Sequence, residues 1–381
     1  MGSGSRVGSR APGPSACAPR LLGGHGEYRT QRGSGDMSAT RTMNIGAISF
    51  DHGHQNGYVS ALLELPSAQL VAAADPIPEQ LDRMHAMLAA HPEAPAVKVF
   101  SDYHELLELD EVEAVSICSA NADHAEMTIA AAHAGKHVLC EKPLSITLEE
   151  ADAMIAACRE AGVYLGTAYP CRFAPVAWQA KQRVDNGEIG DILAMHGTNH
   201  LRPFTEGWFI DPQRSGGGTI RDHIVHVTDL MRWFTGKEVV EVYAEGDTLK
   251  RPHIAVDDVA ILVEEFEGGI IASTDPSWNR PENWSKWGNV YLRLLGTRGV
   301  IEFEITGQAL VRTESKSGAI SSIDTSESMN YYLLKDFCEA IIAGRSPLVT
   351  GEDGRAGVEA ILAAYQSIEE GRPIRLRDGL E

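Results

Sequence analysis

Short apolar runs recur along the chain from Met43 onward and are separated by stretches with a helical repeat. Such runs, bounded by polar or glycine-rich positions, are typical of strands buried in a parallel sheet. One helical stretch has clear ends, because Thr147 and Glu150 have capping-box spacing and Gly162 is a natural stop. Strands alternating with helices indicate a doubly wound α/β sheet with right-handed crossovers. The predicted strands are Asn44–Ile48, Leu70–Ala74, Val97–Phe100, Ala114–Cys118, His137–Cys140 and Val163–Gly166.

The pattern changes after about residue 168, where neighbouring apolar or alternating segments are joined by glycine-rich turns. This is hairpin chemistry and predicts a largely antiparallel sheet. A helix over Gly351–Glu370 follows. We therefore expect a nucleotide-type domain over 43–167 and a sheet-rich α/β domain over 168–381. The predicted strands of the second domain are Asp258–Phe266, Gly269–Asp275, Asn289–Leu295, Val300–Ile305 and Ala309–Thr313.

The first 42 residues have a different composition from the rest. They are rich in Gly, Ser and Arg and have no hydrophobic periodicity, and Glu27 and Asp36 are their only acidic residues. Their one apolar pair, Leu21 and Leu22, is far too short for the apolar core of a signal peptide. We expect a disordered extension over 1–42.

Charge and cysteine content exclude several classes of partner. The chain has 33 basic and 53 acidic residues and a net charge of −20, which disfavours nucleic acids and anionic membrane surfaces as partners. No apolar stretch is long enough to predict a membrane span. The six cysteines are scattered, without a C-x-x-C pair, so we expect no disulfide framework and a cytoplasmic location.

The turn after the first strand, Ser49–His54, stands where a dinucleotide-binding fingerprint would have glycines at its first, third and sixth positions. Ser49, Asp51 and His54 occupy those positions instead. The N-terminus of the following helix still suits an anion such as a phosphate. Asp51 could instead cap that helix. Taken alone, the turn favours the cap.

Asp75 ends the second strand, about 20 residues beyond the turn, where an acid commonly accepts the ribose hydroxyls of NAD. It could equally cap the helix that starts near Pro76. A ribose role would favour NAD over NADP, because the carboxylate would repel a 2′-phosphate.

Polar side chains also follow the fourth and fifth strands, at the edge of the sheet where ligands bind. A helix cap would account for one polar residue after the fourth strand. It accounts less well for a run that contains Ser119, Asn121 and His124. Glu141 and Lys142 end the fifth strand. Without other evidence, a Glu–Lys pair at this position is best explained as a solvent-exposed turn.

The strongest local signal is Gly216-Gly217-Gly218 followed by a helical stretch with Asp222, His223 and His226. Asp222 and His226 are i,i+4 neighbours, and a carboxylate beside an imidazole can orient it as a general base. An ordinary Asp–His pair is the simpler alternative. A metal site of Asp222, His223 and His226 is disfavoured, because no H-E-x-x-H or Cys/His set accompanies it. We predict no metal.

These motifs, in this order, resemble the Gfo/Idh/MocA oxidoreductases, the family of glucose–fructose oxidoreductase and inositol dehydrogenase. The resemblance runs from about Met43 to Arg375. Its most specific elements are Glu141-Lys142-Pro143 and the Gly-Gly-Gly, Asp222, His226 series. The segment Gly166–Pro175 looks like the family's link into the second domain.

The resemblance implies an N-terminal Rossmann domain and a C-terminal α/β domain with a large, open, mostly antiparallel sheet. It implies NAD, with NADP less expected, and a sugar, polyol or inositol substrate, in a homodimer or homotetramer. Lys142, Asp222 and His226 match the family's catalytic residues. The predicted cofactor contacts are Ser49, Phe50, His52, Asp75, Ser119, Asn121, His124, Glu141 and Lys142. The predicted substrate contacts are Arg172, Trp208 and His223.

Two positions depart from the family pattern. The glycine fingerprint is absent, so hydrogen bonds from Ser49, His52 or His54 would have to hold the pyrophosphate, a protonated histidine most strongly. His223 replaces a residue that is usually apolar, which indicates an unusual substrate pocket.

Three functions remain open at this stage. The first is an NAD-dependent dehydrogenase that transfers hydride from a secondary alcohol to nicotinamide. In it His226 accepts the hydroxyl proton, Asp222 orients His226, and Lys142 stabilises the alkoxide. The second is a glycosidase or lyase that retains NAD and uses transient oxidation. The third is a non-catalytic NAD-binding scaffold.

Overall fold

The computed structural model describes residues 41–89, 96–284, 288–305, 309–313, 320–324 and 328–376. A parallel sheet forms its amino-terminal part, with strand order β3-β2-β1-β4-β5-β6. The order is that of a doubly wound sheet. All the predicted strands of this part are confirmed, with ends that shift by one or two residues. These strands are β1 (Met43–Ile48), β2 (Ala68–Ala74), β3 (Lys98–Phe100), β4 (Ala114–Ile117), β5 (His137–Cys140) and β6 (Leu165–Thr167).

Helices connect these strands, and the capping pattern read from the sequence is confirmed. The Thr147 hydroxyl accepts from the Glu150 N–H (3.2 Å), and the Glu150 carboxylate accepts from the Thr147 N–H (3.2 Å). Gly162 ends the same helix with φ 71°, a conformation that glycine adopts without strain. The helices are α1 (His54–Glu64), α2 (Pro78–Ala89), α3 (Tyr103–Leu107), α4 (His124–His133) and α5 (Leu148–Ala161).

The carboxyl-terminal part contains the predicted, mostly antiparallel sheet, with strand order β12-β11-β7-β10-β9-β8-β15. Only β7 and β10 pair in parallel among its described strands. The strands are β7 (Ile192–Leu201), β8 (Val239–Asp247), β9 (Val259–Phe266), β10 (Ile270–Asp275), β11 (Gly288–Gly296), β12 (Val300–Glu304), β13 (Ala309–Thr313), β14 (Ile320–Asp324) and β15 (Ile374–Arg375).

The carboxyl-terminal strands differ from the sequence prediction in one pairing and in four strands that were not predicted. The strand at Ala309–Thr313 has the predicted bounds, but it pairs with β14 in a separate two-stranded sheet. Strands β8, β14 and β15 were not predicted, and neither was the long strand β7. Its inward-facing positions include Gly197 and Asn199, residue types with low strand propensity, so the apolar alternation is interrupted.

A second set of helices covers one face of this sheet and connects it to the first. Helix α10 packs against α5 and β6 on one side and against α8 and β8 on the other. Its predicted bounds are confirmed. The helices are α6 (Pro175–Asp185), α7 (Pro212–Ser215), α8 (Thr219–Thr235), α9 (Met329–Ile342) and α10 (Gly351–Glu370).

Both predicted domains fall in one compact unit, Arg41–Glu381, and the boundaries 43–167 and 168–381 stay a prediction. The predicted extension over 1–42 lies outside the described residues except for 41 and 42. None of the helices in the described ranges combines the length and apolar composition that crossing a bilayer requires.

Candidate active site

The candidate site lies at the carboxyl end of the parallel sheet, where β1 is flanked by β2 on one side and β4 on the other. This switch point is where ligands bind in doubly wound sheets. The residues after β1, β4 and β5 form one wall, and helix α8 contributes the other through Asp222, His223 and His226, all of which are buried. The structure therefore brings the predicted catalytic residues together.

Helix α8 is held in place at its first turn by a residue from a distant part of the chain. The Asp257 carboxylate accepts from the N–H groups of Gly218 (2.9 Å) and Ile220 (2.8 Å). A Cβ at Gly218 would stand 1.9 Å from the Asp257 carbonyl oxygen. The third glycine of the motif therefore permits this close backbone approach and positions the helix.

Lys142 and Asp222 form a buried ion pair at the centre of the site. The Lys142 ammonium donates to the Asp222 carboxylate and, at 3.0 Å, to the Asp222 backbone oxygen. Burial opposes ionisation of Asp222, but His223 and Lys142 outweigh it and hold the pKa of the carboxyl well below its usual range. The Asp222 carboxyl is therefore ionised at neutral pH.

His223 supports this pair from the other side. The Trp278 indole, which can only donate, gives its N–H to His223 Nδ1 at 2.9 Å. In the neutral ring the proton then resides on Nε2, which faces an Asp222 carboxylate oxygen at 3.2 Å. Burial, opposed by Asp222, lowers the pKa of His223 to about 4, so the neutral ring is the form at pH 7. The sequence analysis missed Trp278, which lies in a loop far along the chain.

His226 lies apart from this chain of bonds. Its Nδ1 is 3.7 Å from Cys171 Sγ, and its ring stands edge-on to Tyr169. We expected Asp222 to orient His226. Among the described residues, the Asp222 carboxylate instead contacts Lys142 and His223. Burial and the nearby Lys142 charge keep the pKa of His226 well below its ordinary value, so the ring is neutral and can accept a proton.

The turn after β1 is fixed by contacts with distant residues. Asp51 does not cap α1 as the sequence favoured. Its carboxylate binds Arg214 at 2.7 Å, and its backbone oxygen accepts from the Trp208 indole at 3.1 Å. Gly53 is the N-cap of α1 and has no side chain to cap it, and the His54 N–H of the first turn donates to His52 Nδ1 at 3.2 Å. The predicted N-terminal anion site is therefore not blocked by Asp51.

Asp75 is buried directly after β2, and its carboxylate stabilises the turn that follows β1. Its carboxylate accepts from the N–H groups of Phe50 (2.6 Å) and Ile77 (2.8 Å). Burial raises the pKa of Asp75, and these two hydrogen bonds oppose the shift. The residue thus has a structural role in the turn, and its carboxylate remains at the position predicted for ribose recognition.

The residues after β4 carry buried polar atoms without partners. Asn121 donates to the Ser215 backbone oxygen at 2.8 Å, and the Ser119 hydroxyl donates to the Ala120 backbone oxygen at 3.1 Å. His124 Nδ1 lies 2.9 Å from the Pro143 oxygen, which assigns the proton to Nδ1. Asn121 Oδ1 and His124 Nε2 have no hydrogen-bond partner among the described residues.

A cluster of His52, His54 and Glu141 lies beside these residues. The Tyr58 hydroxyl donates to one Glu141 oxygen at 2.6 Å, and His54 Nδ1 is 3.3 Å from the other. Burial keeps the pKa of His52 well below its ordinary value. This burial does not favour a protonated His52, and the expectation that a protonated histidine holds phosphate in this turn stays a prediction. Sequence reasoning missed Tyr58, which is one turn into α1.

Arg172 is one of the predicted substrate contacts, but carboxylates of the protein itself bind its guanidinium. Its guanidinium donates two hydrogen bonds to Asp229 (2.6 and 2.8 Å) and one to Asp353 (2.8 Å). Trp208 packs 5.8 Å from the ring of His52 at the mouth of the turn. The contacts of Arg172 favour a structural role, whereas Trp208 and His223 border the site.

A dinucleotide fits these residues. The N-terminus of α1 has no acidic residue in its first turn, and no described atom lies within 4 Å of the place where a Gly53 Cβ would stand. The dipole of this helix N-terminus suits a pyrophosphate, which would have to displace the bond from the His54 N–H to His52 Nδ1 to use that donor. The unpartnered atoms of Asn121 and His124 offer hydrogen-bonding groups along the same crevice.

Comparison with known proteins agrees with this geometry. Residues 45–169 match the oxidoreductase family with an NAD-binding Rossmann fold, and residues 177–302 match the Gfo/Idh/MocA C-terminal domain. The chain is 31% identical over 349 residues to the myo-inositol 2-dehydrogenase of Thermotoga maritima, a match covering 88% of this chain and 99% of the relative. It is 28% identical to the NAD⁺-dependent scyllo-inositol 2-dehydrogenase of Bacillus subtilis, over 88% of this chain and 95% of that protein.

A solved structure gives the same result at the level of the fold. The crystal structure of a probable dehydrogenase from Thermotoga maritima superposes with a TM-score of 0.75 at 30% identity. It covers 87% of this chain and 98% of its own. The family models together match more than half of the sequence, which confirms the predicted family, fold class and cofactor type. The chain therefore belongs to the Gfo/Idh/MocA family and is an NAD-dependent oxidoreductase.

Proposed function

We propose that the protein is a dehydrogenase that oxidises a secondary alcohol of a cyclic polyol, with an inositol or a sugar as the substrate class. The observation that carries this proposal is that Lys142, held by the Asp222 carboxylate, and a buried His226 with a lowered pKa share the crevice of an NAD-binding domain. Inositol dehydrogenases among its relatives support the substrate class. When bound, NAD supplies the hydride acceptor.

His226 is the general base in this proposal. The active form in this proposal carries the His226 proton on Nδ1, 3.7 Å from Cys171 Sγ, so that Nε2 accepts the proton of the substrate hydroxyl. Burial raises the pKa of the Cys171 thiol to about 12, so the thiol does not compete as an anion. A neutral imidazole in a buried site is a suitable acceptor near pH 7.

Lys142 stabilises the negative charge that develops on the substrate oxygen as the proton leaves. Its ammonium is held in one position by the carboxylate and backbone oxygens of Asp222. A cation fixed before the reaction needs no reorganisation during it. Asp222 is thus a positioning residue for Lys142, and His223 in turn positions Asp222.

The cofactor would lie along the switch point of the sheet. The N-terminus of α1, after Ser49, Phe50 and His52, would hold the pyrophosphate, and Asp75 the adenosine ribose. The charge of Asp75 favours NAD over NADP. The remaining proposed cofactor contacts are Ser119, Asn121, His124, Glu141 and Lys142.

We also propose that the protein is a cytoplasmic homodimer or homotetramer. The five described cysteines are unpaired and buried, which fits a reducing compartment. The sheet face opposite α8 has exposed apolar side chains on neighbouring strands, including Ile261, Val263 and Ile271, with 43–57% exposure. Apolar patches of this kind favour an interface. The division into domains at 43–167 and 168–381 is likewise a proposal, supported by the two matched ranges.

The test is a panel of inositols, sugars and glycosides incubated with NAD or NADP and followed at the NADH absorption band. We expect stoichiometric NADH from a polyol or sugar, abolished in Lys142→Ala and His226→Ala. A product at the oxidation level of its substrate would favour a lyase or glycosidase that retains NAD. Failure to bind NAD(H) would favour a scaffold. Either result would overturn the proposal.

A further inference from the structure

The cluster of His52, His54 and Glu141 has the composition of a metal site. Each residue offers one ligand atom, and these atoms lie within 4.8 Å of one another. In the part of the chain that the structure describes, it is the only such group of three. It lies outside the set Asp222, His223 and His226 that the sequence raised and disfavoured.

Two atoms of this cluster are buried without a hydrogen bond. His52 Nε2 and Glu141 Oε1 have no hydrogen-bond partner among the described residues, and Glu141 is fully buried. Glu141 Oε1 does face an imidazole, since His54 Nδ1 lies 3.3 Å from it. The nearest cation along the chain, Lys142, is engaged by Asp222. The cluster therefore places an unpartnered imidazole nitrogen of His52 close to a carboxylate oxygen that already faces a second imidazole.

We propose that His52, His54 and Glu141 bind a divalent first-row transition metal ion of the zinc type. Two imidazoles and one carboxylate form a ligand set that such ions prefer, with a fourth position open. Ligand atoms in a tetrahedral zinc site lie about 3.3 Å apart, given bonds of about 2.0–2.2 Å. His54 Nδ1 and Glu141 Oε1 already have this separation, 3.3 Å.

The surroundings are those of a supported site. Tyr58 donates to Glu141 Oε2 and so leaves Oε1 as the free oxygen, which is how an outer residue orients a ligand. The rings of Trp208 and Phe209 pack near His52 and provide an apolar wall. The His54 side chain is 42% exposed, so its ring can rotate to bring the widest pair of ligand atoms closer.

Ligation has one identifiable structural cost. The His54 N–H donates to His52 Nδ1 at 3.2 Å. A metal on Nδ1 would displace this bond, and a metal on Nε2 would require the imidazole proton on Nδ1. In both cases a single long hydrogen bond between neutral groups is exchanged for a metal–nitrogen bond. The burial that keeps the pKa of His52 low also keeps the ring in the neutral form that a metal needs.

One proposed ligand, His54, stands at a glycine position of the fingerprint. The test of the proposal does not depend on finding the substrate. The full chain is stripped with a chelator and titrated with Zn²⁺ by calorimetry, and with Co²⁺ by its visible absorption. We expect one equivalent, a dissociation constant of about 1 μM or below, and the intense bands of a four-coordinate Co²⁺ site.

Substitutions then assign the ligands. His52→Ala, His54→Ala and Glu141→Gln should each weaken binding by more than about 100-fold, and Tyr58→Phe by about tenfold. His104→Ala is the matched control, because that ring also lies beside a carboxylate, Asp102, but on the surface. Its affinity should be unchanged.

The proposal is overturned by absence of stoichiometric binding, or by binding that survives all three ligand substitutions. It is also overturned if the control weakens binding as much as they do. His54→Ala keeps the test decisive if the His52 variant fails to fold, because the His54 ring is partly exposed. Circular dichroism checks the fold of each variant.

Discussion

The carboxylate of Asp222 binds the ammonium of Lys142 and, among the described residues, makes no hydrogen bond to His226, which lies one turn further along the same helix. The i,i+4 spacing placed Asp222 and His226 on one face of α8. The lysine arrives from the end of β5 and offers a stronger, charge-assisted partner. Asp222 therefore fixes the cation of the site, and His226 is left as an independent neutral base.

Lys142→Ala should lower turnover by more than about 100-fold while NAD still binds, because the variant loses a fixed charge opposite the developing alkoxide. It also leaves Asp222 buried without its cation, which should reduce the free energy of unfolding by about 3–5 kcal/mol. Turnover at saturating substrate and urea unfolding measure the two effects. Lys335→Ala, which removes an exposed partner of Glu339, is the control. Near-normal turnover in the Lys142 variant would refute the assignment.

Trp278→Phe removes the one N–H that fixes the tautomer of His223 and keeps most of the ring volume. Because a neutral hydrogen bond contributes about 1 kcal/mol, we expect turnover to fall by about five- to tenfold with little change in KM. The ¹⁵N NMR shifts of His223 should report a mixture of tautomers. Trp284→Phe is the matched control, since this indole is 43% exposed. An unchanged His223 spectrum would show that Trp278 does not set the tautomer.

The acid limb of kcat/KM should lie well below pH 6.5. A general base works when deprotonated, so activity falls as the pH drops through its pKa. Burial, helped by the charge of Lys142, keeps the pKa of His226 well below 6.5, so activity should hold constant from pH 8 down past pH 6.5. His226→Ala should lose more than about 100-fold in turnover. An acid limb centred at 6.5 or above would mean that another group is the base.

Most helices and strands could be predicted from the local sequence, because hydrophobic periodicity and glycine-rich turns identify them. This holds wherever the tertiary packing favours the same structure as the local sequence. The helix Gly351–Glu370 shows this agreement, since its cap and stop residues act within a few positions of its ends. Strand β7 was missed because Gly197 and Asn199 pack against α8 residues that no local window contains. Gly197 lies against Val227, and the Asn199 side chain donates to the His223 backbone oxygen.

The partners of the site residues could not be predicted because they come from distant segments. Asp51 has the residue type of a helix cap, yet Arg214 binds it across 163 positions. Trp278 and Tyr58 showed no local signal, because an indole or a phenol in an apolar stretch is most often core. The residue types of the site could be predicted from the sequence, whereas its hydrogen bonds depend on the tertiary structure.

Arg172→Lys distinguishes a structural role from the predicted substrate contact. Arg172 donates two hydrogen bonds to Asp229 and one to Asp353. A lysine cannot reproduce the bidentate geometry of the contact with Asp229. We expect the free energy of unfolding to fall by about 2–4 kcal/mol, with KM changed less than twofold. Arg345→Lys, at an exposed ion pair with Asp336, should cost under about 1 kcal/mol. A large rise in KM at unchanged stability would restore the substrate assignment.

The last prediction concerns cofactor choice. In the proposed function Asp75 contacts the adenosine ribose, and its charge should disfavour the 2′-phosphate of NADP. The same carboxylate accepts from the N–H groups of Phe50 and Ile77, so its removal also loosens the turn. Asp75→Ser should therefore weaken NAD binding and narrow the preference for NAD over NADP.

Asp75→Asn separates the two roles, because the amide oxygen can keep one backbone hydrogen bond while the charge is lost. If charge sets the preference, both variants should bind NADP more tightly relative to NAD. Calorimetric titration of NAD and NADP into each variant measures the ratio. Equal affinity of the unmodified protein for both cofactors would remove Asp75 from this role.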